Sequence, residues 1–528
     1  TEYNKPKRYF EKSGVVDPKA SYYVPLENVM NMDNQDIKTM VDYGRYFSIF
    51  APRQSGKTTF FEGFCSQLEH EPSYIPILLS FQSAKNLDSV TFYSRIQEDL
   101  FEQLVQRLES VNCAQKDLVK DYLASTNIKG HTGFYDFFKT LNRLIKSKKI
   151  VIFIDEFDGI PLGELENFLT TLRELYQKYK KRTDKALYSV GLVGIRNITK
   201  LIVGGVSPFN IADQVSFPPF SLKNVHDLYG QYTDETNQPF TEVAVEKVFE
   251  ETGGQPWLVN RLGTILTVNI RPETIEAITG ADVEKGVEML LYEENSHFDN
   301  ITEKAKQLKE TFIEIVFDGV EYVPGDEEQS LLLTHGLIKA DGKNLFVSNP
   351  IYKSRFTKTF FRETGAGADI THGGYFTTEG FLNMEAILSD FEEYIIQIGV
   401  NAFYTNKKPY EKTGQFLLTA WLYQFVEGGK GDLRYEMPTG LGRMDIFLTY
   451  RERKYIIETK INRSNINTTI DRAVEQICGK YLLTEKAVEG YVVVFDVKTK
   501  VGEVRTPQKR QVEGNTVLIF EVGIGRSQ

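Results

Sequence analysis

Cysteine is nearly absent from this chain: Cys65, Cys113 and Cys478 are its three thiols, they stand far apart, and no two form a CxxC pair. That excludes a disulfide framework and a cysteine zinc module, and it fits a reducing compartment. Histidine is scarce as well. Its six residues make no metal-ligand spacing, so His372 and the others read as surface or satisfied groups. No run approaches the ~18 apolar residues of a membrane span, and the stretch TEYNKPKRYFEKSG is charged, without an apolar h-region. The expectation is a cytoplasmic protein with no membrane partner. Positive charge is not in excess either. The formal net charge is −10, which argues against a chain permanently coated with nucleic acid. A local groove stays open, because steering depends on where the charges sit. The acidity lies mostly before residue 380, and the last 150 or so residues are roughly neutral. That part has the lower electrostatic barrier to a phosphate backbone.

What is present is the composition of a globular protein, 41% hydrophobic and 25% charged, in a chain of 528 residues that is too long for one ordinary core. Residues 47–51, 74–81 and 189–195 read as buried strands and 148–158 as a continuous apolar run ending in carboxylates, with a helical segment at 90–110, which implies a parallel sheet flanked by helices. From about 221 the pattern is helical without strands. Residues 327–356 then read as a helix, a glycine-containing turn and a hairpin around Asp341-Gly342, the shape of a winged helix. GAGADITHGG (365–374) has linker composition. Beyond it, 380–400 and 411–427 read as helices, and RMDIFLTY, KYIIETK, EGYVVVFD and TVLIFEV as four strands. The expected organisation is an α/β P-loop domain at 1–220, a helical lid at 221–290, a winged-helix-like module at 291–364, a linker at 365–379 and a second α/β domain at 380–528.

Chemistry concentrates at two places. The first is APRQSGKTT (51–59), between a strand and a helix. Gly56 lets successive backbone N–H groups curl around phosphate oxygens, Lys57 supplies a cation, and the Thr58 hydroxyl can reach Mg²⁺. The helix that follows aims its N-terminal dipole at the same place. Gln54, Ser55, Gly56, Lys57, Thr58 and Thr59 are therefore the expected phosphate-binding set, with ATP and Mg²⁺ as cofactors. About a hundred residues later, IVIFIDEFD (150–158) ends a buried strand in carboxylates. Asp155 is expected to hold Mg²⁺ through water, and Glu156 to orient and deprotonate the attacking water.

With YYVP (22–25), GRYFSIFAPRQSGKTTF (44–60), IDEFD (154–158), VSPFNIADQVSFPPFSL (206–222), TGGQPW (252–257) and HGLI…NPIY (335–352), residues 20–360 resemble the AAA-type and STAND-related ATPases, in particular the group that includes archaeal-type ATPases. Ala51 stands where a glycine is commonest. The resemblance implies that Gly254 and Pro256 of the lid lie near the adenine and that Arg196 takes a sensor or finger position, a surface arginine being the alternative. Trp257 reads as lid core.

The second place is GLGRMDIFLTYRERKYIIETK (440–460). Strand alternation puts Glu458 and Lys460 on one face, and a hairpin turn around 451–454 can return Asp445 beside them. Two carboxylates and a lysine suit a hard cation bridging carboxylate, carbonyl and phosphate oxygens, with the lysine orienting water and offsetting transition-state charge. Ile456-Ile457 ahead of Glu458 suggests a central strand, where an unpaired glutamate is costly without a cation. Residues 380–528 thus resemble the PD-(D/E)XK nuclease superfamily, Glu458-Thr459-Lys460 forming the tripeptide and Met444 replacing the proline of the name. The resemblance implies an additional acidic residue at Glu411, with Glu436 as a second candidate. It also implies a Gln–Tyr helix in AVEQICGKY (473–481), where Gln476 and Tyr481 stand five apart instead of four. The reading that follows is an ATPase fused to a metal-dependent nuclease acting on DNA, or on RNA, as a homo-oligomer under nucleotide control. The alternative is a STAND-like signalling ATPase whose C-terminal domain binds nucleic acid or protein without cleaving.

Overall fold

A computed structural model describes residues 2–145, 148–180, 187–194, 211–318, 320–365, 374–398, 404–405, 408–409, 411–426, 431–439, 442–482, 487, 489–503 and 505–525. The chain divides into two compact units, Thr1–Leu308 with Tyr322–Tyr352, and Lys309–Glu321 with Lys353–Gln528.

The first unit is built on a six-stranded sheet of β1 (Met30–Asn31), β2 (Tyr46–Phe50), β3 (Tyr74–Ser80), β4 (Lys149–Asp155), β5 (Leu187–Gly194) and β6 (Asp213–Ser216), in the order β1-β6-β2-β5-β4-β3. All pairs are parallel except β1–β6. Alternation along β4 divides its side chains between two cores. Ile150, Ile152 and Ile154 pack with α3 (Ser89–Ser110), α5 (His131–Leu144) and α6 (Leu165–Lys180). Val151 and Phe153 pack on the other face with α1 (Ile37–Asp42) and α2 (Lys57–Leu68). A strand buried on both faces reads as one continuous apolar run, which is why IVIFI shows no polar alternation. The parallel sheet matches the sequence expectation. The helix α4 (Lys116–Ser125) and the short edge strands β1 and β6 add to it.

A third core gathers α7 (Leu222–Thr236), α8 (Glu242–Thr252), α9 (Pro256–Thr264) and α10 (Gly280–Leu291), into which the N-terminal segment inserts Phe10 and Tyr22. Gly253 and Gly254 both have positive φ, 57° and 73°, and a side chain on Gly254 would come within 2.0 Å of the Phe220 carbonyl oxygen. That pair of glycines ends α8 and lets α9 start at Pro256. The unit continues with α11 (Ser296–Gln307), α13 (Glu327–Thr334) and a hairpin of β7 (Ile338–Asp341) and β8 (Asn344–Val347) turning at Gly342. It closes with the first turn of α14 (Pro350–Gly365).

The second unit holds α12 (Lys309–Asp318), the rest of α14, α15 (Met384–Ile398), the two-residue pair β9 (Tyr404–Thr405) and β10 (Lys408–Pro409), and α16 (Glu411–Val426). Its six-stranded sheet comprises β11 (Gly431–Thr439), β12 (Gly442–Tyr450), β13 (Arg453–Asn462), β14 (Glu489–Lys500), β15 (Gln508–Val512) and β16 (Asn515–Gly525), in the order β11-β12-β13-β14-β16-β15. The inner pairs β13–β14 and β14–β16 are parallel and the others antiparallel. After β13 comes α17 (Ile466–Gln476), which runs into a π-helical turn, Ile477–Leu482. Of the linker expected at 365–379, residues 366–373, His372 among them, lie outside the described residues, and Gly365 ends α14. Among the described residues no helix is long and apolar enough to cross a membrane.

Candidate functional sites

At the carboxyl end of β2 the chain turns through Gln54 (φ 55°) and Gly56 (φ 88°) before α2 begins at Lys57. The alternation of hand turns backbone N–H groups toward one side, the geometry of an anion nest, and Gly56 takes its φ without a Cβ penalty. Ser55 braces the loop by donating to the Pro52 carbonyl at 2.8 Å. Lys57 is buried, and its Nζ donates to the carbonyls of Ala51 at 2.8 Å and Pro52 at 2.5 Å. Burial pulls its ammonium down to about 8, with Asp155, Glu156 and Asp158 opposing. An anion between these amides would meet a cation already desolvated.

The parallel register carries β4 out at the same edge. The Thr58 hydroxyl donates to Asp155 Oδ2 in a very short contact, so the two groups expected to share Mg²⁺ are adjacent. Asp155 is buried, and its Oδ1 accepts from the Glu156 N–H at 2.8 Å. Glu156 takes a left-handed conformation, φ 49°. Burial first and Asp155 second raise its carboxyl above the usual range. A raised, half-buried carboxylate beside Asp155 has the chemistry a general base needs.

Pro256 lines a pocket of about 420 Å³ of empty space beside Gly56 and Thr59. Its other walls include Val16, Tyr23, Phe60 and Asn260. Those four were not singled out from the sequence. Tyr23 stands within the quoted YYVP, but nothing in that motif reveals which side chain faces a ligand. Thr59 is tied to the N-terminal segment, its Oγ1 accepting from the Val16 N–H at 3.1 Å. Trp257 is buried, stacks on His297 with centroids 4.2 Å apart, and donates from Nε1 to the Lys12 carbonyl at 2.9 Å. Arg196 lies outside the described residues.

The second cluster forms on β13, an inner strand. The register Phe447↔Ile456 and Ile446↔Ile457 returns β12 so that Asp445 reaches the backbone beyond Glu458. Its Oδ2 accepts from Thr459 N–H at 2.8 Å and from Thr459 Oγ1 at 2.9 Å. Glu458 is fully buried. Its Oε1 takes the Lys460 ammonium at 2.5 Å, and its Oε2 has no hydrogen-bond partner among the described residues. Burial, then Asp445, pushes the Glu458 carboxyl up to about 8 against the pull of Lys460. Burial alone would lower Lys460, but Glu458, then Asp445 and Glu411, outweigh it and hold the ammonium above its usual range. Glu411, at the start of α16, lies 4.0 Å from Lys460 Nζ and accepts from the Ile461 N–H at 3.1 Å.

Gln476 donates to Tyr481 Oη at 3.0 Å. The π-helical turn at Ile477–Leu482 accommodates their spacing of five, since its wider turn brings i and i+5 onto one face. Asp445, Glu458 and Lys460 also act on the Tyr481 hydroxyl electrostatically. The structure thus brings Glu411, Asp445, Glu458, Lys460, Gln476 and Tyr481 to one place. The Glu436 side chain lies outside the described residues.

Among the described residues no group of three or more His, Cys, Asp or Glu is arranged to hold a metal ion. The unpartnered Glu458 Oε2 beside Asp445 fits a hard cation that keeps much of its shell as water and phosphate oxygen, as Mg²⁺ does.

A search of curated proteins gives no significant match. Among solved structures, a Walker-type ATPase of Pyrococcus abyssi is 13% identical, covering 63% of this chain and 98% of its own, at a TM-score of 0.40. The RuvB Holliday junction branch migration motor of Thermotoga maritima is 14% identical over 60% of this chain and 90% of its own, at 0.30. The Orc1 protein of Aeropyrum pernix, solved in complex with DNA, is 14% identical over 63% and 94%, at 0.29. The family model for the AAA-like domain matches residues 11–358, and with its phosphate loop, Asp155 and Glu156 inside that span the chain belongs to this AAA-like family of P-loop ATPases.

Proposed function

We propose that the chain is an AAA-type ATPase whose second unit is a Mg²⁺-dependent nuclease cleaving DNA under nucleotide control. The observation that carries the nuclease reading is Glu458: a fully buried carboxylate with one unpartnered oxygen, on an inner strand, between Asp445 and Lys460. A buried carboxylate left half-satisfied is costly in a purely structural role. At the nucleotide site, Lys57 exchanges the Ala51 and Pro52 carbonyls for phosphate oxygens, and Glu156 takes a proton from the attacking water. Thr58 and Asp155 are the residues that hold Mg²⁺ there. At the second site, Asp445 and Glu458 hold the cation, which when bound polarises the phosphodiester and lowers the pKa of water. Lys460 orients the water and offsets charge developing on the phosphate. Gln476, with Tyr481 behind it, contacts the substrate backbone, and Glu411 fixes the strand through the Ile461 amide.

The helix and hairpin of 327–347 serve as a winged-helix module within a homo-oligomer whose assembly responds to ATP. One observation favours the alternative, a signalling ATPase with a non-cleaving second unit. The Lys460–Glu458 ion pair already satisfies half of the site without a metal.

The test incubates the protein and Lys460→Ala with plasmid, linear DNA and RNA in Mg²⁺, with and without ATP. Cleavage by the wild type alone, with ATP hydrolysis equal in both proteins, supports the nuclease, and a difference between ATP lanes supports nucleotide control. Intact nucleic acid in every lane, with ATP hydrolysis retained, selects the signalling reading.

A further inference from the structure

His297 is buried, 4% exposed, and both of its ring nitrogens are engaged. Nδ1 meets the side-chain Oε1 of Gln54 in a very short contact, and Nε2 lies 2.9 Å from Tyr352 Oη. An amide oxygen only accepts, so Nδ1 carries a proton, and in the neutral ring Nε2 then accepts from the Tyr352 hydroxyl. The hydrogen bonds therefore run in one direction, from Tyr352 in α14 through His297 in α11 to Gln54 in the phosphate loop. The ring is packed in this line by its stack on Trp257, with an interplanar angle of 10°, and by an edge-on contact with Phe298.

Gln54 is one of the few non-glycine residues with positive φ, 55°. A left-handed residue that is not glycine costs about 1–2 kcal/mol and persists only where its surroundings hold it. Two contacts do so. The Gln54 carbonyl accepts from Gln255 Nε2 at 3.3 Å, and its side chain is held by His297. The turn at Gln54 sets the direction of the backbone that becomes the phosphate nest. A third contact presses the same loop. Gly336, with φ 72°, lies so close to Pro52 that a Cβ there would fall 2.3 Å from Pro52 Cγ.

We propose that His297 is a positioning residue for nucleotide binding: with Tyr352 behind it, it holds Gln54 in the left-handed turn that shapes the phosphate loop before nucleotide arrives. Gln54 then contributes its backbone to the phosphates and its side chain to the brace. Nothing in the sequence marks the role, since His297 stands alone and some 240 residues from the loop. The inference rests on the ATPase assignment.

The test measures kcat and KM for ATP, and ADP affinity, in the full chain carrying His297→Phe, Tyr352→Phe, Gln54→Leu and the His297→Phe/Gln54→Leu pair, with Lys57→Ala as the inactive control. His297→Phe keeps the stack on Trp257 and removes both hydrogen bonds. The expected result is a KM raised about 5- to 20-fold with kcat within about twofold, the signature of lost binding preorganisation. Tyr352→Phe is expected to show a smaller rise, and the double variant no more loss than the larger single. A spectroscopic readout accompanies it. In a Trp421→Phe background, nucleotide should change Trp257 emission, and Gln54→Leu should abolish that change. An unchanged KM in His297→Phe, or full additivity with Gln54→Leu, overturns the proposal while leaving the ATPase intact. If His297→Phe does not fold, Tyr352→Phe and Gln54→Leu read the same brace, and an unchanged KM in both overturns it. Absence of turnover in the wild type overturns the ATPase assignment together with the inference.

Discussion

Replacing Glu458 by glutamine should change the pH dependence of the second unit's stability in a direction that the structure fixes. The carboxyl is fully buried and pushed from its usual 4.5 up to about 8. A group whose folded pKa lies above its unfolded value contributes stability that is complete below about pH 4.5 and is lost as pH rises through the folded value. Metal-free wild type should therefore lose stability between pH 5 and 8 at up to about 1.4 kcal/mol per pH unit, in total on the order of 2–4 kcal/mol once relaxation and water entry are allowed for. Lys460, held above its usual range, does not titrate in that window. Glu156 and Glu392 shift in the same direction, but they are common to wild type and variant and cancel in the difference. The assay is urea denaturation in EDTA at pH 5, 6, 7 and 8, followed by Trp421, which is buried in α16, in a Trp257→Phe background. Glu458→Gln should gain on the wild type steadily with pH. Mg²⁺ at pH 8 should restore the wild type by about 2.7 kcal/mol at a hundred times its Kd and leave the variant unmoved. Parallel pH profiles for the two proteins would refute the reasoning, since the buried charge would then carry no penalty.

Three shorter expectations accompany it. Glu156→Gln should bind ATP and fail to turn it over, and in the wild type the rate should fall on the acid side at a pH above the usual carboxylate range, because a base with a raised pKa protonates earlier as pH drops; a kcat–pH profile checks both. Gly254→Ala should destabilise the first unit by about 2–4 kcal/mol, since the new methyl meets the Phe220 carbonyl at 2.0 Å in a left-handed backbone; denaturation followed by Trp257 measures it. Deleting Gly479 should convert the π turn to an α turn that leaves Tyr481 four residues after Gln476 and on the same face, so DNA cleavage should stay within about threefold, and Gly479→Ala, which meets nothing within 4 Å, should leave cleavage unchanged; a tenfold loss on deletion would count against the pairing.

The phosphate loop and the Asp155 strand were legible because their chemistry is local. Gly56, Lys57 and Thr58 are consecutive, and a strand buried on both faces leaves an unbroken apolar run in the sequence. Glu458 and Lys460 were legible for the same reason, period two along one strand, with Asp445 returned by a short hairpin. The edge strands β11 and β15 were not. GDLRYEMPT and QKRQV are polar segments that become strands by pairing with β12 and β16, so their order comes from a neighbour and not from their own pattern. The pocket beside the phosphate loop was half legible. Pro256 had a motif around it, but Val16, Tyr23 and Asn260 reach the pocket only through the packing of the N-terminal segment against the lid, where Tyr22 donates to Glu235 and Tyr23 exchanges hydrogen bonds with Gln231.

The Gln476–Tyr481 pair shows how a mismatch in spacing carries information. On an α-helix, residues five apart are separated by about 140° around the axis, so a tyrosine at that distance from its glutamine would leave the site. The chain instead widens the helix over Ile477–Leu482, and the hydrogen bond at 3.0 Å is made. A π turn gives up α-helical hydrogen-bond geometry and is rarely kept without a reason. Here it keeps the tyrosine hydroxyl within electrostatic reach of Asp445, Glu458 and Lys460. The irregular turn thus joins Gln476 and Tyr481 in one hydrogen bond beside the second cluster, and Tyr481→Phe, which removes that bond, is the direct test of whether the proposed nuclease uses it.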